Sequence, residues 1–205
     1  MRRTEIAAGQ PAVFFDVMDT LVHNPFYQEI PAFFGMSLDE LIRVKHPTSW
    51  VEFERGEIPE SEYLRRMFAD ERPYAAAAFL ASVREAYRWI DGMEPLVAEL
   101  RDRGVEMHTL SNYPVWYRVI EEKLRLSRYL RWTFVSCLTS VLKPRPEAYA
   151  AAVGAVKRPP GACLLIDDSR ENCVGAEQAG MPAIWFRSAA DLRRELVRRG
   201  LLLAI

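Results

Sequence analysis

The first apolar run of the chain is short and unbroken: Val13-Phe14-Phe15, continuing through Asp16 to Val17 and flanked by Gly9 and Pro11. An apolar stretch of this length without alternation predicts a central strand covered on both faces. From Pro25 to about Trp89 the character changes. Runs of β-branched residues are scarce there, and the pattern predicts helices over residues 37–44, 59–68 and 75–89, with an aromatic-bearing loop from His46 to Phe53. A strict alternation then begins. Helices are predicted over 93–103 (stopped by Gly104), from Pro114 to about Leu126, and over 146–156, 171–179 (stopped by Gly180) and 189–199. Between them fall strands at 105–110, 133–136, 163–166 and 183–186.

Strands alternating with helices of this length predict an α/β fold with a mostly parallel sheet between helices. The helical segment 25–89, inserted after the first strand, then forms a cap on a core made of residues 1–24 and 90–205. A length of 205 residues suits one core domain with such an insertion. Half the residues are apolar, which is enough for a substantial core.

Charge and cysteine content narrow the function classes. The net charge of −1 comes from nearly balanced acids and bases, so neither a basic nucleic-acid face nor an acidic tail is expected. The arginine pairs Arg2-Arg3, Arg65-Arg66 and Arg198-Arg199 read as solvated helix faces. Cys137, Cys163 and Cys173 lack metal-ligand spacing, and their odd number argues against a disulfide framework and for a reducing compartment. No segment has the length and apolarity of a signal peptide or membrane span, so a soluble protein without a membrane partner is expected. Leu201–Ile205 reads as a last strand or buried tail.

Three predicted strands end in polar groups that would converge at the carboxyl edge of a parallel sheet. The first delivers Asp16, followed by Asp19 and Thr20; the second delivers Ser111 and Asn112; the fourth delivers Asp167 and Asp168. Lys143, in the loop before Pro146, approaches from the side. Each has an ordinary reading alone: an acid after a strand caps the next helix, Ser-Asn marks a loop, and a lysine beside a proline is exposed. As an ordered set they say more, because carboxylates at neighbouring strand ends repel and are usually held together by a hard divalent cation.

The set resembles the haloacid-dehalogenase (HAD) superfamily. FFDVMDTL carries the nucleophile motif at Asp16, HTLSN the second motif at Ser111, LKPRPEAY the lysine motif at Lys143, and LLIDDSRENCVGAEQAGM the acidic pair Asp167-Asp168. The resemblance implies a HAD-like Rossmannoid fold with a helical cap of the kind called C1. The stretches DVMDTLVHNPFYQEIPAFFGM, KHPTSWVEFERG, SNYPVWYRVIEEKLRLSRYL and WTFVSC are also similar to the plant plastid flavin mononucleotide (FMN) hydrolases of that superfamily. That similarity implies FMN or a related small phosphometabolite as substrate and a chloroplast location, the cytoplasm being the alternative.

The resemblance implies a residue-by-residue mechanism. Asp16 attacks phosphorus to give an aspartyl-phosphate. Mg²⁺ is held by Asp16, the backbone carbonyl of Met18 and Asp168, with Asp167 acting directly or through water. Lys143 neutralises phosphoryl oxygens and fixes Asp16 as an anion, while Ser111, Thr20 and the backbone N–H groups around Val17–Asp19 and Asn112 supply neutral phosphate donors. Met18 departs from the pattern, since phosphatases of the family carry an acid/base Asp two places after the nucleophile. Its loss typically costs about 10²–10⁴ in rate. Asp19, one place out of register, and His23 are the candidate substitutes. Two other readings stay open: a metal-independent dehalogenase-like hydrolase, and a catalytically weak flavin- or phosphate-binding protein. Phe26, Tyr27, Trp50, Phe53, Tyr113, Trp116 and Tyr117 either form a flat aromatic slot or build the cap's own core; Trp50 and Tyr113 are the expected substrate contacts, and Trp89 and Trp132 are expected to pack.

Overall fold

A computed structural model describes residues 9–203; the Arg2-Arg3 pair, the first eight residues of the expected core and Ala204-Ile205 lie outside them. Five parallel strands form one sheet: β1 (Ala12–Phe15), β2 (Met107–Ser111), β3 (Arg131–Val135), β4 (Cys163–Asp167) and β5 (Ala183–Trp185). Their spatial order is β3-β2-β1-β4-β5, so the chain reverses direction of travel across the sheet at β1. Such a switch point opens a crevice at the carboxyl ends of the strands beside it.

The period of two explains why β1 sits at the centre. Val13 and Phe15 face one apolar cluster, which they share with α6 (Met93–Asp102), α11 (Ala189–Arg198) and the cap. Ala12 and Phe14 face a second cluster with α9 (Pro146–Val156) and α10 (Arg170–Gln178). All four residues are fully buried, and each phenylalanine contributes about 1.5–3 kcal/mol of burial.

The cap holds five helices: α1 (Glu29–Phe33), α2 (Leu38–Val44), α3 (Ser49–Glu54), α4 (Glu60–Arg65) and α5 (Ala76–Ala86). Helix α2 starts from a capping box, with Ser37 and Glu40 satisfying each other's backbone N–H groups. The two crossings between cap and core pair with each other: His23 N–H donates to the Arg88 carbonyl and Ile90 N–H to the Leu21 carbonyl.

Two expectations change, and one open alternative is decided. The predicted loop 46–53 contains α3, because Trp50 and Phe53 lie on one side of a short helix and pack on Tyr63. The helix expected from Pro114 starts later, as α7 (Tyr117–Leu124), with Pro114 accepting from Tyr117 N–H in the preceding turn. Residues 201–203 form no strand, but Leu201 and Leu202 are buried as a tail. A short helix, α8 (Ser136–Thr139), follows β3 directly. Arg65 and Arg66 pair with Glu62 and Glu52, and Arg198 and Arg199 with Glu195, as solvated helix faces should. Among the described residues the three cysteines are free, and no helix is long and apolar enough to cross a membrane.

The end of α3 is clamped to the core. Ser136 Oγ donates to the Glu54 carbonyl at 2.6 Å and Ser140 Oγ to the Arg55 carbonyl at 3.0 Å. Gly56 sits at φ +70°, where a Cβ would run into the Cys137 carbonyl oxygen. Gly56→Ala should therefore cost about 1–3 kcal/mol through backbone strain and forced separation. Urea denaturation measures it, and a loss below about 0.5 kcal/mol would mean that the clamp is not rigid.

Candidate active site

Strand β1 carries Asp16 one residue past its last ladder position, and β4 ends in Asp167 with Asp168 beyond it. Because these strands are neighbours in register, Phe15 opposite Ile166, their acids are forced together. Carboxylate oxygens of Asp16, Asp167 and Asp168 all lie within 4.8 Å of one another. Lys143 Nζ enters this group, 3.0 Å from Asp16 and 2.5 Å from Asp167, with its side chain almost wholly buried.

Lys143 is placed by two devices. The Asn112 side chain clasps its backbone, accepting from Lys143 N–H at 2.8 Å and donating to the Lys143 carbonyl at 2.9 Å. Helix α10 packs hard against the next residue, with Gly175 so near Pro144 and the Tyr149 hydroxyl that a Cβ would lie 3.0 Å from the one and 2.8 Å from the other. The Asn112 side chain thus serves the lysine, whereas the phosphate donor expected at this position is its backbone N–H.

The three acids differ in what they have left to give. Both oxygens of Asp167 are committed, to Lys143, the Asn172 amide and Ser169 N–H. Among the described residues the Asp168 carboxylate accepts from the Thr20 hydroxyl alone, at 3.4 Å, and Thr20 in turn accepts from Asp168 N–H. Thr20, expected among the phosphate donors, thus ties the first and fourth strand ends together. Asp16 and Asp168 are the acids with lone pairs to offer a cation, which fits a hard divalent ion.

Ser111 stands out by its lack of partners. Its hydroxyl is fully buried at the end of β2, and among the described residues nothing bonds it. A buried polar group left this way costs about 1–3 kcal/mol, and this one stands at the carboxyl end of the strand that pairs with β1.

Electrostatics follow from the burial. Desolvation drives the Asp16 carboxyl up to about 7, against the pull of Lys143 and with the repulsion of Asp167 and Asp168 adding to it. Burial, Asp167 and Asp19 push Asp168 up to about 6. Burial disfavours the charge on Lys143, but Asp16 and Asp167 outweigh it and hold the ammonium protonated well above the ordinary range.

The two candidate substitutes for the missing acid each have a side-chain partner near the cap crossing. Asp19 takes a left-handed backbone (φ 55°), and its carboxylate accepts from the Asn24 amide at 3.0 Å. His23 Nε2 bonds the Glu29 carboxylate at 2.8 Å, joining the crossing segment to α1. Neither lines the cavity of about 240 Å³ between cap and core.

That cavity is walled by Phe26, Tyr27, Trp50, Tyr113 and Trp116 and touches Met18 and Asn112 at the catalytic end. Trp50 sits edge-on to Tyr113, ring centroids 6.0 Å apart. Phe53 belongs to the cap core, stacked on Tyr63 at 4.7 Å, and Tyr117 packs on Trp132 at 5.2 Å. Trp89 packs on Tyr129. One carboxylate on the cavity wall was not anticipated: Glu54, at the end of α3. A single Glu in a segment read as loop carries no signal by itself.

The haloacid dehalogenase-like hydrolase family model matches residues 11–180. The chain belongs to the haloacid dehalogenase-like hydrolases. Among curated relatives, it is 42% identical over 195 residues to flavin mononucleotide hydrolase 1 of Arabidopsis thaliana, a chloroplast protein, covering 95% of this chain and 80% of that one. It is 25% identical over 169 residues to a sesquiterpene phosphatase of Aspergillus oryzae, covering 78% and 84%. Among solved structures, the magnesium complex of a HAD family enzyme from Bacteroides thetaiotaomicron superposes with TM-score 0.73 at 18% identity, covering 93% of this chain and 99% of that one. At that identity the likeness is one of fold.

The raised carboxyls make a linkage prediction for this HAD-like chain. In the metal-free protein, Asp16 and Asp168 keep protons that the unfolded chain has lost, so their contribution to stability is full at low pH and disappears as pH rises through about 6 to 7. Asp16→Asn removes the Asp16 share. Metal-free D16N should melt progressively above the native chain from about pH 4 to pH 7, by roughly 2–4 °C per kcal/mol, with the gap level above that. Added Mg²⁺ should narrow the gap by stabilising the native chain. A gap independent of pH, measured by scanning calorimetry, would assign the effect elsewhere.

Proposed function

We propose that this hydrolase cleaves phosphomonoesters through an aspartyl-phosphate on Asp16 with Mg²⁺ as cofactor, and that its substrate is FMN. The observation that carries the chemistry is the Asp16–Asp167–Asp168 cluster around the buried Lys143, together with a buried Ser111 hydroxyl that has no partner among the described residues. The substrate reading rests on the chloroplast FMN hydrolase relative and on the aromatic walls of the cavity.

Mg²⁺ would be held by Asp16 and Asp168 with the Met18 carbonyl, and when bound it offsets the repulsion between a carboxylate nucleophile and an anionic phosphate. The chain's own residues do the rest. An Asp16 oxygen attacks phosphorus, and Lys143 stabilises both the carboxylate before attack and the phosphoryl oxygens during it. Ser111 donates to a phosphoryl oxygen. Asn112, Thr20 and Asp167 hold those groups in place rather than touching the ester. Trp50, Tyr113 and Trp116 supply flat apolar faces against which a fused heteroaromatic ring stacks, leaving its phosphate-bearing chain to reach Asp16.

Incubation with FMN and Mg²⁺ should release inorganic phosphate, and D16N or a chelator should abolish the release. Trp50→Ala should raise KM for FMN about three- to tenfold, the value of one aromatic contact, while leaving KM for a small acyclic phosphomonoester nearly unchanged. Equal effects on both esters would remove the stacking role from Trp50. Activity on other phosphomonoesters but not on FMN would keep the chemistry and discard the substrate.

A further inference from the structure

We propose that Glu54, a cap residue, performs the proton transfers that Met18 cannot, protonating the leaving alcohol and then activating water. The inference rests on the phosphatase reading above and concerns the step that reading leaves without an owner.

Glu54 is the carboxylate on the wall of the cavity between cap and core, which it shares with Met18 and Asn112. The other titratable groups there are Tyr27, Lys45, His46, Tyr63 and Tyr113, of which Tyr63 donates its hydroxyl to Met67 Sδ. His46 accepts at Nδ1 from the backbone N–H groups of Thr48 and Ser49, and Arg66 lies against its Nε2. Tyr113 is bonded to the Tyr87 hydroxyl at 2.7 Å. Glu54 forms no ion pair among the described residues; Trp50, one turn earlier on α3, lines the same cavity.

The backbone of Glu54 is fixed where such a role needs it. Ser136 Oγ donates to the Glu54 carbonyl and also accepts from Tyr113 N–H at 2.9 Å. Tyr113 follows Ser111 and Asn112, so a single hydroxyl joins the cap acid to the loop that carries the proposed phosphate donor. An acid/base group must hold its distance to the reacting oxygen closely, and this joint supplies that constraint across the cap–core boundary. Burial also pushes the Glu54 carboxyl up to about 7, with Trp50, Lys143 and Arg55 pulling against it. A carboxyl in that range can give a proton in one half-reaction and take one in the next.

The cycle balances. As Asp16 attacks phosphorus, the bond from phosphorus to the ester oxygen breaks, and that oxygen leaves with the proton of Glu54 as an alcohol. The Glu54 carboxylate then takes a proton from water as the water oxygen attacks the phosphorus of the aspartyl-phosphate. The bond from Asp16 to phosphorus breaks, releasing inorganic phosphate and restoring both side chains.

The test compares the native Mg²⁺-loaded chain with Glu54→Gln and Glu54→Asp on two esters in rapid-mixing experiments. One ester is FMN, or another alkyl phosphate that the native chain hydrolyses; the other is p-nitrophenyl phosphate, whose leaving group needs no proton. E54Q should lose about 10²–10⁴ in kcat on the alkyl ester. On the aryl ester it should keep a near-native burst of p-nitrophenolate followed by slow turnover. The phosphorylated chain should accumulate and appear as one added phosphoryl group in the intact mass. E54D should retain part of the activity and show no such accumulation. An E54Q chain within about threefold of native on the alkyl ester overturns the role. So does a raised KM with unchanged kcat, which would make Glu54 a binding group, or an equal loss of the aryl burst, which would make it structural. Native activity with an undisturbed E54Q removes Glu54 alone; a native chain inert toward both esters removes the phosphatase reading and Glu54 with it.

Discussion

The site is organised around one ammonium group. Lys143 stands between Asp16 and Asp167 with almost no exposure to water, and the acids of two adjacent strands could not be packed at this distance without it. Breaking a buried charge group of this kind leaves its other members uncompensated, which is more costly than the pair is stabilising. The surrounding structure accordingly spends its polar groups on the lysine's position: the Asn112 amide on its backbone, the close approach of α10 at Gly175, and Ser169 and Asn172 on the far side of Asp167. Several side chains that look like ligands for phosphate in one dimension are thus braces for the charge centre in three.

This explains what the sequence could and could not convey. The five strands were legible because unbroken apolar runs such as Val13–Phe15 and Cys163–Ile166 admit few alternatives when helices of matching length separate them. The convergence of Asp16, Ser111, Asp167 and Asp168 followed from strand order, since residues just past the ends of parallel neighbours must meet. The allocation of hydrogen bonds among them was not legible. Whether Thr20 faces phosphate or Asp168 depends on a turn in which Asp19 adopts a left-handed backbone, and no local pattern encodes that choice. Helix α3 was missed for a related reason: its six residues are too few for a periodic signal, and tertiary packing of Trp50 and Phe53 decides its conformation.

The replacement of an acid by Met18 takes on a different meaning beside the cavity. Its side chain is nearly buried and joins the apolar cluster that continues into the cap. A carboxylate there would sit against Ile30, Met67 and the aromatic walls, where desolvation is costly. The methionine that makes the cavity floor apolar therefore also takes the place of the usual proton donor. An acid delivered from the cap wall is compatible with that floor; an acid at position 18 is less so.

The same electrostatics bear on the metal-free alternative. A dehalogenase-like reaction would need Asp16 as an anion in the absence of a cation, yet three carboxylates face a single ammonium here and burial already holds Asp16 near neutrality in its proton affinity. Asp167 cannot relieve this, because its charge is committed to Lys143 and its oxygens are saturated. Additional positive charge beside Asp168 is what would return Asp16 to a fully ionised nucleophile at neutral pH. The acid pair at the end of β4 is thus an argument for a cation that stands apart from any motif: without one, burial and the neighbouring acids hold the Asp16 carboxyl well above the ordinary carboxylate range.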